Sequence, residues 1–163
     1  METTKSSQQL KFLCDEMLVG LARWLRAAGY DTRVCASSQN DRDILDLAIK
    51  EHRLLITRDH KLSEFRNARD TVIWLDCNNI DVCVKELSQK LPIDWMLAPF
   101  SRCMRCNTLL IKAGPADLSR VPLESQKLAD PLMYCPSCDK VYWQGSHVER
   151  MLNKLQEWEA QAL

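Results

Sequence analysis

The sequence predicts an α/β protein with one open parallel β-sheet, followed by a small segment that needs a metal to fold and by a closing helix. Three observations lead to this class. Short apolar runs alternate with amphipathic helical patterns over residues 11–97, four cysteines fall in two close pairs between 103 and 138, and residues 148–162 return to a helical pattern. Strands that alternate with helices form βαβ units, which build parallel sheets with right-handed crossovers.

Four apolar runs predict the strands of the sheet: 11–14, 32–35, 53–57 and 72–75. The helices between them carry apolar residues at i, i+3, i+4 and i+7. The first helix begins at Met17 and ends before Gly29, because glycine favours the left-handed backbone that follows many helices. The second helix begins after the polar run 37–41, and the third covers 81–90. With a strand order of 2-1-3-4, the first and third strands are neighbours.

The chain is predicted to have three regions: a polar, flexible N-terminus at 1–10, an α/β domain at 11–97, and a cysteine-rich ribbon with its closing helix at 98–163. Pro92 and Pro99 mark the change between the last two regions. Residues 100–145 show little periodicity and are too few to bury a core of their own. A bound metal would supply the missing stability.

Charge and hydropathy exclude several classes of protein. The 163 residues contain 22 basic and 22 acidic side chains, so the formal net charge is zero. A neutral chain argues against a strongly basic nucleic-acid-binding protein and predicts that nucleic-acid affinity depends only weakly on salt. No uncharged apolar run approaches the ~18 residues of a membrane span, and the N-terminus has no apolar stretch typical of a secretion signal. We therefore expect a cytoplasmic protein that does not engage membranes.

The eight cysteines fall into two groups. Four are scattered through apolar segments, where a free thiol in a reducing compartment behaves as a small hydrophobic group: Cys14, Cys35, Cys77 and Cys83. The other four form two Cys-x-x-Cys pairs, Cys103–Cys106 and Cys135–Cys138. Two such pairs together supply the four thiolates of a structural zinc site. The alternatives are a redox-active pair and two unlinked pairs of thiols, and the occurrence of two pairs in one Pro-rich segment favours zinc.

Acidic residues follow two strands that the predicted topology makes neighbours. Asp15 and Glu16 follow the first strand, Asp59 follows the third, and Asp43 lies near the start of the second helix. The carboxyl ends of these strands flank the point of the sheet at which ligands bind. Crowded carboxylates repel one another and are typical ligands of Mg²⁺ or Mn²⁺. Such an ion orients water and neutralises a phosphodiester in the transition state.

Spacing alone leaves other interpretations open. Asp41 and Asp43 are both candidate caps of the second helix, a role favoured for Asp41, and a single carboxylate after a strand is ordinary in a loop. A phospho-receiver domain also carries acids after its first and third strands, but it requires a fifth strand ending in Lys, whereas here the fourth strand leads into the cysteine-rich segment. Three arginines are placed to hold phosphate beside the acids and are equally consistent with surface ion pairs: Arg23, Arg26 and Arg58.

Four stretches of the chain, taken together and in this order, look familiar: FLCDEMLVGLARWLRAAGYDT (12–32), DRDILDLAIKEHRLLITRDHKL (41–62), SRCMRCNTLL (101–110) and CPSCDKVYWQGSHVERM (135–151). They resemble the Mut-seven C-terminal RNase family, and the resemblance covers nearly the whole chain beyond residue 10. It implies a PIN-like nuclease domain joined to a zinc ribbon, and metal-dependent cleavage of RNA. Here Glu16 stands where the family usually has a small residue.

The resemblance also implies roles for single residues. It makes Asp15, Asp43 and Asp59 the acidic positions, Arg23 and Arg26 the basic helix positions, and the four paired cysteines the ribbon ligands. We therefore predict an endonucleolytic ribonuclease in which the three aspartates hold Mg²⁺ or Mn²⁺ and Arg23, Arg26 and Arg58 hold RNA. No small-molecule cofactor is expected. The alternative is a non-catalytic module of the same fold that binds RNA or protein.

Overall fold

The computed structural model describes residues 9–162, apart from the side chain of Leu128, so most of the predicted flexible N-terminus lies outside the described residues. The described chain contains these strands: β1 (Phe12–Cys14), β2 (Thr32–Val34), β3 (Leu54–Thr57), β4 (Val72–Trp74), β5 (Ile111–Lys112), β6 (Met133–Cys135) and β7 (Lys140–Tyr142). Its α-helices are α1 (Val19–Ala28), α2 (Asp41–Lys50), α3 (Ile80–Lys90) and α4 (Ser146–Ala162). The predicted strands and helices of residues 11–97 are all present, at slightly different bounds.

The first four strands form one parallel sheet in the predicted order, β2-β1-β3-β4. Successive side chains of a strand point to opposite faces, so each strand contributes to two layers of core. Phe12, Cys14 and Ile56 pack with residues of α1, α3 and α4, whereas Leu13 and Leu55 pack with residues of α2. Helices therefore cover both faces of the sheet, as parallel sheets require, and leave its carboxyl edge for a site.

The loop after α1 requires a glycine. Gly29 has a φ of 107°, in the left-handed region, and a Cβ at this position would lie 2.7 Å from the carbonyl oxygen of Ala98. The backbone N–H of Ala98 donates to the carbonyl of Ala28 (2.9 Å), and that of Phe100 donates to Ala27 (2.8 Å). The segment that leads to the ribbon therefore runs directly against the C-terminal end of α1.

The closing helix α4 packs on the α/β domain. Met151, Leu155 and Trp158 are buried in the same core cluster as residues of α1 and α3. The Trp158 ring meets Trp24 and Trp95 edge-on, with centroid separations of 4.7 and 5.4 Å. In residues 9–162, no helix has both the length and the apolar character needed to cross a membrane.

The ribbon between the α/β domain and α4 has a sheet of its own. Strands β5, β6 and β7 are antiparallel in that order. A small apolar cluster of Val121, Ala129 and Val141 supports the ribbon. The ribbon is tied to the parallel sheet by Asn107, whose side chain accepts from the N–H of Thr32 (2.9 Å). Polar contacts therefore fix the ribbon against the edge strand β2.

Two of the scattered cysteines differ from the prediction. Cys77 and Cys83 form a disulfide, with Cα atoms 4.9 Å apart, whereas the sequence predicted free thiols. The reason is local, because Asn79 caps α3 and the chain turns back there, which brings Cys77 beside the first turn of the helix. Cys14 and Cys35 are free and buried, as predicted.

Candidate active site and metal centre

The carboxyl edge of the parallel sheet holds a cavity of about 170 Å³ with acidic walls. Four carboxylates line this acidic cavity: Asp15, Glu16, Asp41 and Asp59. Among the described residues that line it, there is no Lys or Arg. Asp15 follows β1 and Asp59 follows β3 by two residues, so the neighbouring strands deliver both side chains to one place, as the topology predicted.

A buried threonine fixes both aspartates. The Thr57 hydroxyl donates to Oδ2 of Asp15 (2.6 Å) and accepts from the backbone N–H of Asp59 (3.0 Å). The backbone N–H of Met17 donates to the other carboxylate oxygen of Asp15 (2.9 Å). Thr57 was not predicted from the sequence, although a polar residue that closes the apolar run Leu-Leu-Ile-Thr was a usable signal. This network orients the Asp15 carboxylate without an opposing cation.

Two further hydrogen bonds hold Asp59, one to its side chain and one to its backbone carbonyl. Its carboxylate accepts from the N–H of Lys61 (3.0 Å) and so caps the short 3₁₀ turn His60–Glu64. The indole N–H of Trp74 donates to its carbonyl (3.2 Å). The position of Asp59 is therefore set by β3, by β4 and by the turn that it opens.

The first turn of α2 presents two aspartates in different surroundings. Asn40 is the N-cap: its side-chain oxygen accepts from the N–H of Asp43 (2.9 Å), and its amide donates to Oδ2 of Asp43 (2.8 Å). Asp41 lines the acidic cavity and Asp43 does not. The predicted cap role of Asp41 is therefore wrong. The structure brings Asp41, rather than Asp43, together with Asp15 and Asp59.

The three predicted RNA-binding arginines lie in three different settings. Arg23 is exposed and lines a second cavity. Arg58 donates one N–H to the carbonyl of Cys77 (2.9 Å). Arg26 is buried, and its guanidinium donates to three carbonyls: Thr32 (2.8 Å), Met104 (3.0 Å) and Arg105 (3.1 Å). Arg26 therefore ties α1 to β2 and to the first cysteine pair.

Arg26→Gln is expected to lower the free energy of unfolding by about 3 kcal/mol, because buried carbonyls lose charged donors. Arg23→Gln on the same helix removes an equal charge from an exposed position and is expected to change stability by less than about 0.5 kcal/mol. Urea unfolding followed by tryptophan fluorescence measures both. Equal losses in the two variants would contradict the structural role assigned to Arg26.

The four paired cysteines form one cluster. The Sγ atoms of Cys103 and Cys138 lie 3.9 Å apart, and those of Cys106 and Cys135 lie 3.5 Å apart. All four sulfur atoms lie within 4.8 Å of one another, and no other such group of three or more His, Cys, Asp or Glu occurs in the described part of the chain. The Tyr142 hydroxyl lies 3.0 Å from Sγ of Cys103. The cluster is arranged to share one metal ion, as the sequence predicted.

The backbone after each pair has the same shape. Asn107 and Asp139, which directly follow Cys106 and Cys138, have φ values of 73° and 52°. Asn and Asp tolerate this left-handed conformation better than most residues. The chain therefore reverses immediately after each Cys-x-x-Cys, which turns both thiols of a pair to one side.

Hydrogen bonds within the cluster shift the pKa values of two of its thiols in opposite directions. Burial raises the pKa of Cys106, but hydrogen bonds with Thr108, Cys138 and Cys135 outweigh this effect and lower that pKa from 9.0 to about 6. The hydrogen bond with Cys106, followed by desolvation, raises the pKa of Cys138 to about 12. A bound cation would replace the protons of these thiols.

A parallel sheet with carboxylates at its open edge, joined to a ribbon with four clustered cysteines, defines an α/β protein with a ribbon arranged to hold a metal ion. Residues 10–155 match the family described as Mut7-C RNAse domain, and the chain belongs to this family. The resemblance found in the sequence is thereby confirmed.

A human relative extends this result. The protein named exonuclease mut-7 homolog is 29% identical over 108 residues, which make up 62% of this chain and 12% of that protein. The chain thus corresponds to a small part of that relative. No solved structure matches the chain. The family description and the relative's name are both those of nucleases, and together they support nuclease function in general.

Proposed function

We propose that this protein is a metal-dependent endoribonuclease that acts in its acidic cavity. One observation carries the proposal. Asp15 and Asp59 extend from neighbouring strands, are fixed by the same buried Thr57, and line one cavity with two further carboxylates. Carboxylate oxygens that face one cavity are the ligands that a hard divalent cation prefers. Membership of a nuclease family favours phosphodiester hydrolysis as the use of that cation.

A bound Mg²⁺ or Mn²⁺ would activate water for attack on the scissile phosphate and neutralise charge in the transition state. Asp15 and Asp59 would hold this ion, together with a carboxylate from the first turn of α2. Thr57 and the N–H of Met17 orient Asp15 before RNA binds, and Trp74 and Lys61 do the same for Asp59. The protein thus sets the orientation of the two carboxylates, and the ion would draw the carboxylates of the cavity together.

The third carboxylate is tested by a matched pair of substitutions. Asp41→Asn is expected to lower metal-dependent cleavage about 10²-fold, because it removes a charge from the cavity. Asp43→Asn keeps a polar side chain beside Asn40 and is expected to change the rate by less than about threefold. Single-turnover cleavage at saturating Mn²⁺ measures both. A larger loss in Asp43→Asn would instead support the assignment predicted from the sequence.

We propose different roles for the three arginines predicted to contact RNA. Arg23 is exposed, and Arg58 uses one N–H on a carbonyl and retains further donors for a phosphate. Both are proposed to contact the RNA backbone. The guanidinium of Arg26 donates to three backbone carbonyls, and this geometry supports a structural role. A contact between Arg26 and RNA stays a prediction.

We further propose that the four cysteines hold Zn²⁺ as a structural ion. A tetrahedral site with Zn–S bonds of about 2.3 Å has sulfur–sulfur separations of about 3.8 Å. Two of the six separations, 3.5 and 3.9 Å, are close to this value, and all six are within 4.8 Å. Tyr142 adds a hydroxyl beside the Cys103 sulfur, the kind of outer contact that orients metal ligands.

The activity is tested with fluorescently labelled RNA in Mg²⁺, Mn²⁺ or EDTA, with DNA of the same sequence as a comparison. We expect cleavage of RNA only with a divalent ion. A circular RNA separates the two modes of cleavage, since only an endonuclease can open it, whereas the human relative is named an exonuclease. RNA binding without cleavage in every divalent metal would contradict the proposal and support a non-catalytic module.

A further inference from the structure

A second, larger cavity lies between α1, the first cysteine pair, β7 and the start of α4. Its volume is about 710 Å³, which is large enough for a nucleotide. Basic and aromatic side chains contribute to its wall: Arg23, Arg105, Lys140, Tyr142, Trp143 and His147. We call it the basic cavity.

The charged side chains that line the basic cavity are all positive. Among the described residues that line it, there is no Asp or Glu. Arg23, Arg105 and Lys140 are exposed, and within residues 9–162 none of them has a carboxylate within 4.0 Å. The formal neutrality of the chain thus conceals two cavities of opposite charge, one acidic and one basic. This surface is complementary to a polyanion.

The two cavities are adjacent along the chain. Met17 lines the acidic cavity and Val19 lines the basic one, while Leu18 between them is buried. Met17 and Val19 are both strongly exposed apolar side chains, 67% and 50% accessible. A nucleic-acid strand with one phosphate at the acidic cavity can therefore continue over Val19 into the basic cavity.

We propose that the basic cavity binds the single-stranded RNA that flanks the scissile phosphate, a proposal that rests on the proposed function. Arg23, Arg105 and Lys140 hold phosphates, and the rings of Tyr142 and Trp143 provide an apolar wall for bases. Single-stranded nucleic acids are bound by this combination of cations and aromatic surfaces. An acidic peptide would satisfy the cations but would gain little from the aromatic wall.

The proposal gives the ribbon a role in substrate binding. Arg105 lies inside the first Cys-x-x-Cys pair, and its carbonyl accepts from the buried Arg26. Lys140 and Tyr142 belong to β7, whose hairpin carries the second pair. The four-cysteine cluster thus holds together two of the three cations, and Arg23 joins them from α1.

The test measures binding rather than cleavage. Affinity for a fluorescein-labelled oligouridylate is measured by anisotropy in EDTA, at several salt concentrations, for the wild-type chain and for the triple variant Arg23→Gln, Arg105→Gln, Lys140→Gln. We expect at least a tenfold loss of affinity and a decrease of about 2 in the slope of log K against log salt, since each phosphate contact on a single strand contributes about 0.7. The matched control is Arg66→Gln, Arg69→Gln, Lys85→Gln, which removes three exposed charges elsewhere and should change neither value.

Equal losses in the two triple variants, or no loss in either, would overturn the proposal. Competition by polyglutamate as effective as by unlabelled oligouridylate would also overturn it, in favour of an acidic protein ligand. Because the assay contains no divalent metal, a chain that never cleaves RNA can still show the expected binding. Failure of the proposed function and failure of this inference are therefore distinguishable.

Discussion

Asp15→Asn is expected to lower Mn²⁺-dependent RNA cleavage by about 10³-fold, the largest catalytic effect of any single substitution in this protein. A metal ion stabilises transition-state charge by several kcal/mol, and each 1.4 kcal/mol corresponds to about tenfold in rate. The Asp15 carboxylate is fixed by Thr57 of β3 and by Met17 in the 3₁₀ turn that follows β1. An amide of the same shape keeps the oxygen that Met17 contacts but loses the charge that holds the ion.

Single-turnover cleavage and Mn²⁺ titration by calorimetry measure this effect together. Asp70→Asn is the control, since it removes an exposed carboxylate that does not line the acidic cavity. The Asp15 variant loses the hydrogen bond that Thr57 donates to the carboxylate, so urea unfolding has to show that the variant stays folded. Its affinity for RNA in EDTA should not fall. A folded variant that keeps more than a tenth of the activity would contradict the assignment of Asp15.

The features of the site that could be predicted are those fixed by sheet topology. The alternation of apolar runs and helices predicted a parallel sheet, and the order assumed for it, β2-β1-β3-β4, brings Asp15 and Asp59 to one edge. Side chains that directly follow buried strands have little freedom, so the prediction did not depend on precise element ends. The four cysteines were predictable for a similar reason, because each Cys-x-x-Cys is a closed local unit.

The first turn of α2 shows what the sequence could not settle. Asn40, Asp41 and Asp43 are all residues that cap helices well. Successive residues of a helix are rotated by about 100°, so Asp41 and Asp43 point in very different directions. Which of them faces the cavity depends on which residue caps the helix, and local sequence does not decide this. The structure selects Asn40 as the cap, which places Asp41 at the cavity.

Long-range contacts account for the other differences. Arg26 lies three residues from Arg23, and such a spacing predicts a shared exposed face. It is buried because Met104 and Arg105, far along the chain, return over α1 and present their carbonyls. The segregation of charge has the same origin. Arg23, Arg105 and Lys140 come together only when the ribbon packs on α1, so the balance of 22 basic and 22 acidic residues conceals the basic cavity.

Cys106→Ser is expected to have the largest effect on stability. The variant should bind no zinc, and the ribbon should unfold, because structural zinc contributes on the order of 10 kcal/mol to the folding of small domains. The described apolar support for the ribbon is a small cluster around Val121 and Val141, together with Met104 and Tyr142 against the main core, which cannot replace that contribution. Zinc content by mass spectrometry of metals, and limited proteolysis between residues 107 and 134, measure the two consequences. Cys14→Ala, which removes a buried thiol outside the cluster, should keep one zinc per chain.

Loss of zinc should also lower the stability of the α/β domain. Arg26 and Asn107 tie the first cysteine pair to α1 and β2, so an unfolded ribbon leaves Arg26 buried without two of its three acceptors. The α/β core should therefore unfold at a lower urea concentration in Cys106→Ser than in Cys14→Ala. RNA affinity in EDTA should fall as well, because Arg105 and Lys140 lose their positions.

A wild-type chain that contains no zinc, and in which Cys103 and Cys106 form a disulfide under air, would contradict the structural metal and favour the redox interpretation. A zinc-free Cys106→Ser variant that keeps its ribbon protected from protease would show instead that apolar packing, and not the metal, holds the ribbon.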